Sequence, residues 1–331
     1  MILNLSVNDF SVFLLASDES YDYFCKELSY FFEITISLEN IKSNQRSWMI
    51  VTEKEWLQNN SCRDKFEIVY EETRTSEPIR KFAVNRESKV IVIEEPSEDI
   101  WRQHIAIRLV RDMYRIHVIQ NKGVPLHGGM IERNGFGIAV LGRKKSGKTT
   151  TLLSMMDEDA NFIANDDLIV SYEYDIKGHG STRSISIRKD TIPYIRNNYL
   201  DRIASNPLNK TELKKKYLFL KPVELFNNNV KIKATICLFI FPKFNSDIES
   251  PRVYTLSTEQ LFLELKNNIE DTRYSYFPNV LNLIFPDNDL SDIYSDILKK
   301  IVNSNKVKGI KVEQNIGSMI NIESLLLEGI I

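Results

Sequence analysis

Cysteine is nearly missing from this chain: Cys25, Cys62 and Cys237 are its only three in 331 residues. Their spacing fits no zinc or redox motif, and an odd, sparse set makes no disulfide framework. A reducing, cytoplasmic setting is therefore expected. Long apolar runs are missing too. The longest, Ile236–Pro242, is far short of the roughly 20 residues that span a bilayer. Met1–Ser6 lacks the basic start and apolar run of a secretion signal, so no membrane partner is expected. Excess charge of one sign is also absent. Lys and Arg number 43, Asp and Glu 45, and the net charge of −2 gives no field to draw nucleic acid. The aromatic residues are scattered and do not interleave with Arg as a base-stacking platform would. Glycine (12) and proline (10) are scarce, and no repeat, linker or low-complexity segment stands out. What remains is an ordinary globular composition, 43% apolar and 27% charged, long enough for two domains.

The first part reads as mixed α and β. Leu3, Leu5 and Val7 alternate, and Val12–Leu15 continues as strand material. Ser20–Phe32 has helical spacing, and Met49–Val51, Phe66–Tyr70 and Val90–Ile93 read as short strands. Asp99–Gln120 reads as a helix whose apolar face carries Ile100, Ile105, Ile107, Leu109, Val110, Met113, Tyr114 and Ile116. Gly123 and Pro125 break it, so a boundary is placed near Asn121–Pro125. Residues 1–120 form an α+β N-terminal domain without a chemical motif, a scaffold or a substrate-docking module. Residues 121–331 form the second domain.

That second part carries the chemistry. Leu126–Ile131 and Phe136–Leu141 read as strands joined by Asn134-Gly135, a hairpin turn because both positions tolerate positive φ. Thr149–Met156 reads as a short helix and Asn161–Ala164 as a strand. Leu168–Tyr174 is expected to pair with Ser184–Arg188 across a polar turn containing Gly178 and Gly180. Ile192–Ile203, Leu261–Asn268 and Asp289–Asn303 read as helices. Lys231–Phe241 reads as a strand ending at Pro242, and Ile320–Ile331 is apolar enough to dock on the body.

Between strand and helix, Gly142-Arg143-Lys144-Lys145-Ser146-Gly147-Lys148-Thr149 fits G-x-x-x-x-G-K-[ST] without a mismatch. Such a loop turns its backbone N–H groups onto phosphate oxygens, with the positive end of the next helix behind them. Gly142, Arg143, Lys144, Lys145, Ser146, Gly147, Lys148, Thr149 and the following Thr150 are the expected nucleotide-binding set. Lys148 reaches the β- and γ-phosphates of ATP or another NTP. The Thr149 hydroxyl takes Mg²⁺. Lys144 and Lys145 either add charge to the phosphates or are simply solvated.

Soon afterwards comes Asn165-Asp166-Asp167, far earlier than the second acidic motif of most phosphate-loop NTPases. One carboxylate beside a nucleotide can hold magnesium, and the other can accept a hydroxyl proton. His127 precedes the hairpin; a lone histidine is more often packed or surface than catalytic.

Leu126-His127-Gly128, the Asn134-Gly135 hairpin, Gly142–Thr149 and Ala164-Asn165-Asp166-Asp167 resemble, in order and spacing, the C-terminal domain of HPr kinase/phosphorylase. They are closer still to HPr-kinase-like serine kinases, some of which modify ribosomally made peptides such as lasso-peptide precursors. The resemblance covers about Pro125–Arg188 and weakens through Lys221-Pro222 and Ile236–Pro242. The fold class it implies is α/β: a P-loop kinase domain of the HPr kinase/phosphoenolpyruvate carboxykinase type, after a smaller α+β domain. It implies Asp167 as proton acceptor, Lys148 on phosphate, Thr149 on magnesium and His127 in the active site. Two positions depart from the family. Thr150 stands where those kinases have Glu, and Ser186 ahead of Arg188 where they have a magnesium-binding Glu. Asp166 would then be the second metal ligand. The signature accompanying phosphorolysis is not found, so a kinase is expected rather than a bifunctional enzyme.

The expected reaction is in-line γ-phosphate transfer from ATP with Mg²⁺ to a hydroxyl, a Ser of a peptide or protein being the partner the resemblance suggests. Lys210–Lys233, with seven lysines and two glutamates, is either a solvated face or a receiver of an acidic peptide. Arg188 either steadies the transferring phosphate or sits on a strand surface. A small-molecule kinase of the same fold and a P-loop ATPase or switch remain as alternatives. The resemblance permits a homo-oligomer.

Overall fold

The computed structural model describes residues 1–37, 47–59, 65–73, 77–156, 159–181, 183–189, 192, 216–226, 229–271, 276–286, 289–327 and 329–330. Among them the chain divides into two compact units. One takes Met1–His117 with the described residues of Arg273–Asn288. The other takes the described residues of Val118–Ala204, Lys216–Thr272 and Asp289–Ile331. No described helix is long and apolar enough to cross a membrane.

In the first unit β1 (Ile2–Val7) and β2 (Phe10–Leu15) form an antiparallel hairpin. Their alternation buries Leu3, Leu5, Phe10, Val12 and Leu14 on one face. α1 (Asp18–Leu28) follows, burying Phe24 and Leu28. β3 (Glu33–Ser37), β4 (Trp48–Val51), the short α2 (Trp56–Asn59), β5 (Glu67–Glu71), β6 (Arg80–Asn85) and β7 (Val90–Glu95) come next. The seven strands make one sheet in the order β3-β1-β2-β4-β7-β6-β5. α3 (Asp99–Gln120) matches the helix read from the sequence, although Ile100, expected on its apolar face, is exposed. α7 (Pro278–Ile284) is late in the chain but ties to β5. The Val280 N–H donates to the Glu71 carboxylate at 2.7 Å, and Asn279 Nδ2 to the Tyr70 carbonyl at 2.7 Å.

Arginines interrupt the apolar pattern of α3 and are buried: Arg102 donates to the Thr52 and Glu94 carbonyls, whereas Arg108 and Arg111 pair with carboxylates. Both terminal nitrogens of Arg108 donate to the Glu77 carboxylate, at 2.9 and 3.2 Å. Arg80 pairs with the same carboxylate and donates to the Tyr276 carbonyl at 2.9 Å. Burial alone would raise the Glu77 carboxyl, but Arg108 and Arg80 outweigh it and hold it below its ordinary pKa.

The second unit begins with β8 (Val124–Leu126), β9 (Gly128–Arg133) and β10 (Phe136–Leu141). The single strand expected over Leu126–Ile131 is therefore broken at His127. β8 pairs with β12 (Leu168–Tyr172), whereas β9 lies between β10 and β11 (Ala160–Ala164). The β9–β10 turn is the expected Asn134-Gly135, at φ 52° and 86°. α4 (Lys148–Met155) sits between β10 and β11. β12 turns back through residues 173–175 into β13 (Ile176–His179). This corrects the expected pairing with Ser184–Arg188. Those residues form β14 (Ile185–Arg188), which pairs with β15 (Tyr217–Leu220) as a separate ribbon.

α5 (Pro222–Leu225) precedes β16 (Lys233–Phe244), which runs through Pro242 instead of stopping before it. Beyond Ile240 its ladder to β10 has ended, and only β18 (Lys308–Gln314) flanks it, so a missing N–H is tolerated. The strand order is β11-β9-β10-β16-β13-β12-β8, with β18 also beside β16 and β17 (Arg252–Thr255) beside β18. α6 (Thr258–Asn267) starts with a Ser257/Gln260 capping box. α8 (Ser291–Asn303) buries Tyr294, Ile297, Leu298, Ile301 and Val302. α9 (Ile322–Leu327) ends the chain, and Ile320, Ile322 and Leu325 dock as expected. Of the helix expected over Ile192–Ile203, all but Ile192 lies outside the described residues, as does part of Lys210–Lys233.

Candidate phosphate-binding site

β10 is buried from Gly137 to Leu141, and its parallel ladder with β16 fixes where the chain leaves the sheet. It leaves at Gly142. Five residues later Gly147 caps α4 in a left-handed conformation, φ 99°, that a side chain would strain. A Cβ there would also stand 2.5 Å from the Phe244 ring. The continuation of β16 past Pro242 thus places an aromatic floor beside the loop. Arg143, Lys144 and Lys145 are exposed, Ser146 and Thr149 half-buried, and Lys148 and Thr150 buried. The loop therefore has the turn, the helix N-terminus and the cation that a phosphate needs. Thr150, counted in the expected nucleotide-binding set, is buried.

Lys148 Nζ donates to the Arg143 carbonyl at 3.1 Å, across the arch of the loop. Among the described residues no carboxylate closes an ion pair with it. Burial pushes its ammonium pKa down, and the charge of Asp166 pulls it back up. Water-poor, cationic and held by one carbonyl, this ammonium suits an anionic ligand.

The acidic turn is tied directly to the loop. Thr149 Oγ1 donates to Asn165 Oδ1 at 3.1 Å, and Asn165 is 2% exposed with no hydrogen-bond partner at Nδ2 among the described residues. Asp166 follows in a left-handed conformation, φ 65°. Asp167 is buried and accepts a 2.7 Å hydrogen bond from Ser181 Oγ at Oδ2. Thr149 and Asp166 offer the hard oxygen donors that Mg²⁺ takes, and magnesium needs few protein ligands when phosphates and water complete its shell. Among the described residues no group of three or more His, Cys, Asp or Glu could hold a metal ion.

His127, in the break between β8 and β9, is the third side of the cluster. The main chain of Asn268–Glu270 lies along β8: His127 N–H donates to the Asn268 carbonyl at 2.8 Å, and Glu270 N–H to the Pro125 carbonyl at 3.1 Å. This brings the Glu270 carboxylate against His127 Nδ1. Burial, and next the nearby Lys148 charge, hold the imidazole pKa below its ordinary value, while Asp166 acts the other way. Lys148, Asp166 and His127 therefore share one electrostatic neighbourhood, whereas Arg188 is an exposed residue of the β14–β15 ribbon.

Asn165, Ser181 and Glu270 had no assigned role in the sequence. Asn165 stands in the acidic motif, and its amide could have been suspected. Ser181 was hidden in a stretch read as a turn, and Glu270 belongs to no motif.

No family model matches the sequence, and no curated protein matches it. Among solved structures the chain is similar to the Hpr(Ser) kinase/phosphatase from Coxiella burnetii, at 12% identity. That match covers 62% of this chain and 91% of the other, with a TM-score of 0.29, a distant likeness that lends no weight to the chemistry of the site.

Proposed function

We propose that the chain is an ATP- and Mg²⁺-dependent phosphotransferase that passes the γ-phosphate to a hydroxyl, with a Ser of a peptide or protein as the acceptor. The reading rests above all on the Thr149–Asn165 hydrogen bond, which locks the acidic turn onto the first turn of the phosphate-loop helix. Loop amides, the α4 N-terminus and Lys148 hold the phosphates. Thr149 and Asp166 would hold magnesium, which when bound neutralises charge on the β- and γ-oxygens. The acceptor oxygen attacks the γ-phosphorus, the bond from that phosphorus to the ADP oxygen breaks, and ADP leaves with the electron pair. Asp167 takes the acceptor's proton. His127, its pKa lowered by burial and by the Lys148 charge, lies in the same neighbourhood as a further active-site residue.

The test is transfer from γ-labelled ATP with Mg²⁺ to a Ser/Thr peptide library, for wild type and Asp167→Asn. The expected result is labelled peptide from wild type, a loss on the order of a thousandfold in Asp167→Asn, and ATP binding intact in both. Equal transfer by Asp167→Asn would remove Asp167 from the mechanism. Phosphate released to water with no labelled peptide would point to an ATPase instead.

A further inference from the structure

Resting on that reading, we infer that Ser181 is a positioning residue that holds the carboxylate of Asp167 in the orientation needed to accept the proton. Both residues are 3% exposed, and Ser181 Oγ donates to Asp167 Oδ2 at 2.7 Å. The contact is imposed by the main chain. Gly180, just past β13, donates its N–H to the Ile232 carbonyl at 2.7 Å. A Cβ on Gly180 would stand 1.6 Å from the Ile163 carbonyl, so the chain here is pressed onto β11 as only glycine permits. β11 in turn leads through Asn165 into Asp166 and Asp167. The residue after Gly180 is therefore fixed relative to Asp167, whatever its side chain.

An aspartate carboxylate rotates easily about its last torsion, whose preference is broad and twofold. A proton acceptor with that freedom spends much of its time misaligned, and alignment is a large part of what an enzyme supplies. A short bond to one carboxylate oxygen removes the freedom while leaving the charge. If Ser181 only satisfied a buried carboxylate, its loss would appear in stability. If it positions a base, the loss appears in turnover.

The experiment uses the full chain, γ-labelled ATP, Mg²⁺ and the Ser/Thr peptide library, with phosphate release to water followed in parallel. Ser181→Ala should lower kcat about tenfold at unchanged affinity for ATP, measured well below its melting temperature. Ser181→Thr, which keeps the hydroxyl, should recover most of that loss, and Ser181→Cys, a weak donor of similar size, should fall between. Wild-type kcat in Ser181→Ala, or a kcat loss that follows melting temperature across the three variants, would overturn the assignment and leave the phosphotransferase reading standing. A wild type that neither labels peptide nor releases phosphate would overturn both.

Discussion

Each unit of the molecule buries a cluster of charge, and the two are finished differently. In the first unit Glu77 is bracketed by Arg80 and Arg108, its carboxyl held below the ordinary pKa against the pull of burial. Donors and acceptors there answer one another within the protein. In the second unit Lys148 is about as well buried, yet it meets a main-chain carbonyl, and its pKa is pushed down. The Glu77 charge is completed by two arginines, whereas the Lys148 ammonium has one carbonyl and, in a loop of backbone N–H groups, suits an anionic ligand.

The sharpest way to break this contrast is to remove Glu77. Glu77→Ala leaves two buried guanidiniums without their carboxylate and should cost about 4 kcal/mol in urea unfolding, with ATP affinity of the folded protein unchanged. A cost below about 1 kcal/mol would mean that water reaches the cluster. Next in size is the support behind the phosphate loop. Gln314, fully buried, donates to Thr151 Oγ1 at 2.5 Å and accepts from the Ile320 N–H at 3.1 Å. Gln314→Leu strands both groups and should cost about 3 kcal/mol, with a weaker hold on ATP as α4 loosens.

His179 gives a smaller, pH-dependent effect. Burial, with Lys233 and Lys177 beside it, lowers its pKa to about 4, against about 6.5 in the unfolded chain. Between those values the unfolded state binds more protons, so stability is full above about pH 6.5 and falls with pH towards 4. By pH 5 the loss should reach about 2 kcal/mol, and His179→Gln should flatten that part of the unfolding-against-pH curve. The smallest effect is expected from Lys148→Ala on stability. It removes an ammonium that burial disfavours, so the melting temperature should stay level or rise, opposite in sign to Glu77→Ala. A clear fall would make Lys148 a structural residue like Arg80.

The strand–turn–helix geometry around Gly142–Thr149 was legible in the sequence because all its requirements are local: a buried strand, a positive-φ cap and a helix start in one short stretch. The acidic turn was legible for the same reason. What escaped depended on distant partners. Gly178 and Gly180 read as turn residues, but they belong to and just follow a strand. A Cβ at Gly178 would meet Met130 Sδ at 2.2 Å, and one at Gly180 the Ile163 carbonyl, neither of them a neighbour in sequence. Pro242 read as a strand end because nothing local tells that β16 has lost one neighbour there. The break at His127 was hidden because Leu126–Ile131 is uniformly apolar around it, and only the partners of β8 and β9 separate them. The arginines of α3 carried no reading in the sequence, because their partners are remote in the chain: Arg108 meets Glu77, and Arg108 and Arg111 lie over the Tyr276 ring.

The most direct test of the phosphate site is calorimetric titration of ATP with Mg²⁺ into wild type and Lys148→Ala. Saturable binding by wild type and a drop of about a hundredfold or more in Lys148→Ala, with the fold intact, is the predicted result. Equal affinity in the two proteins, or no binding by a folded wild type, would contradict it.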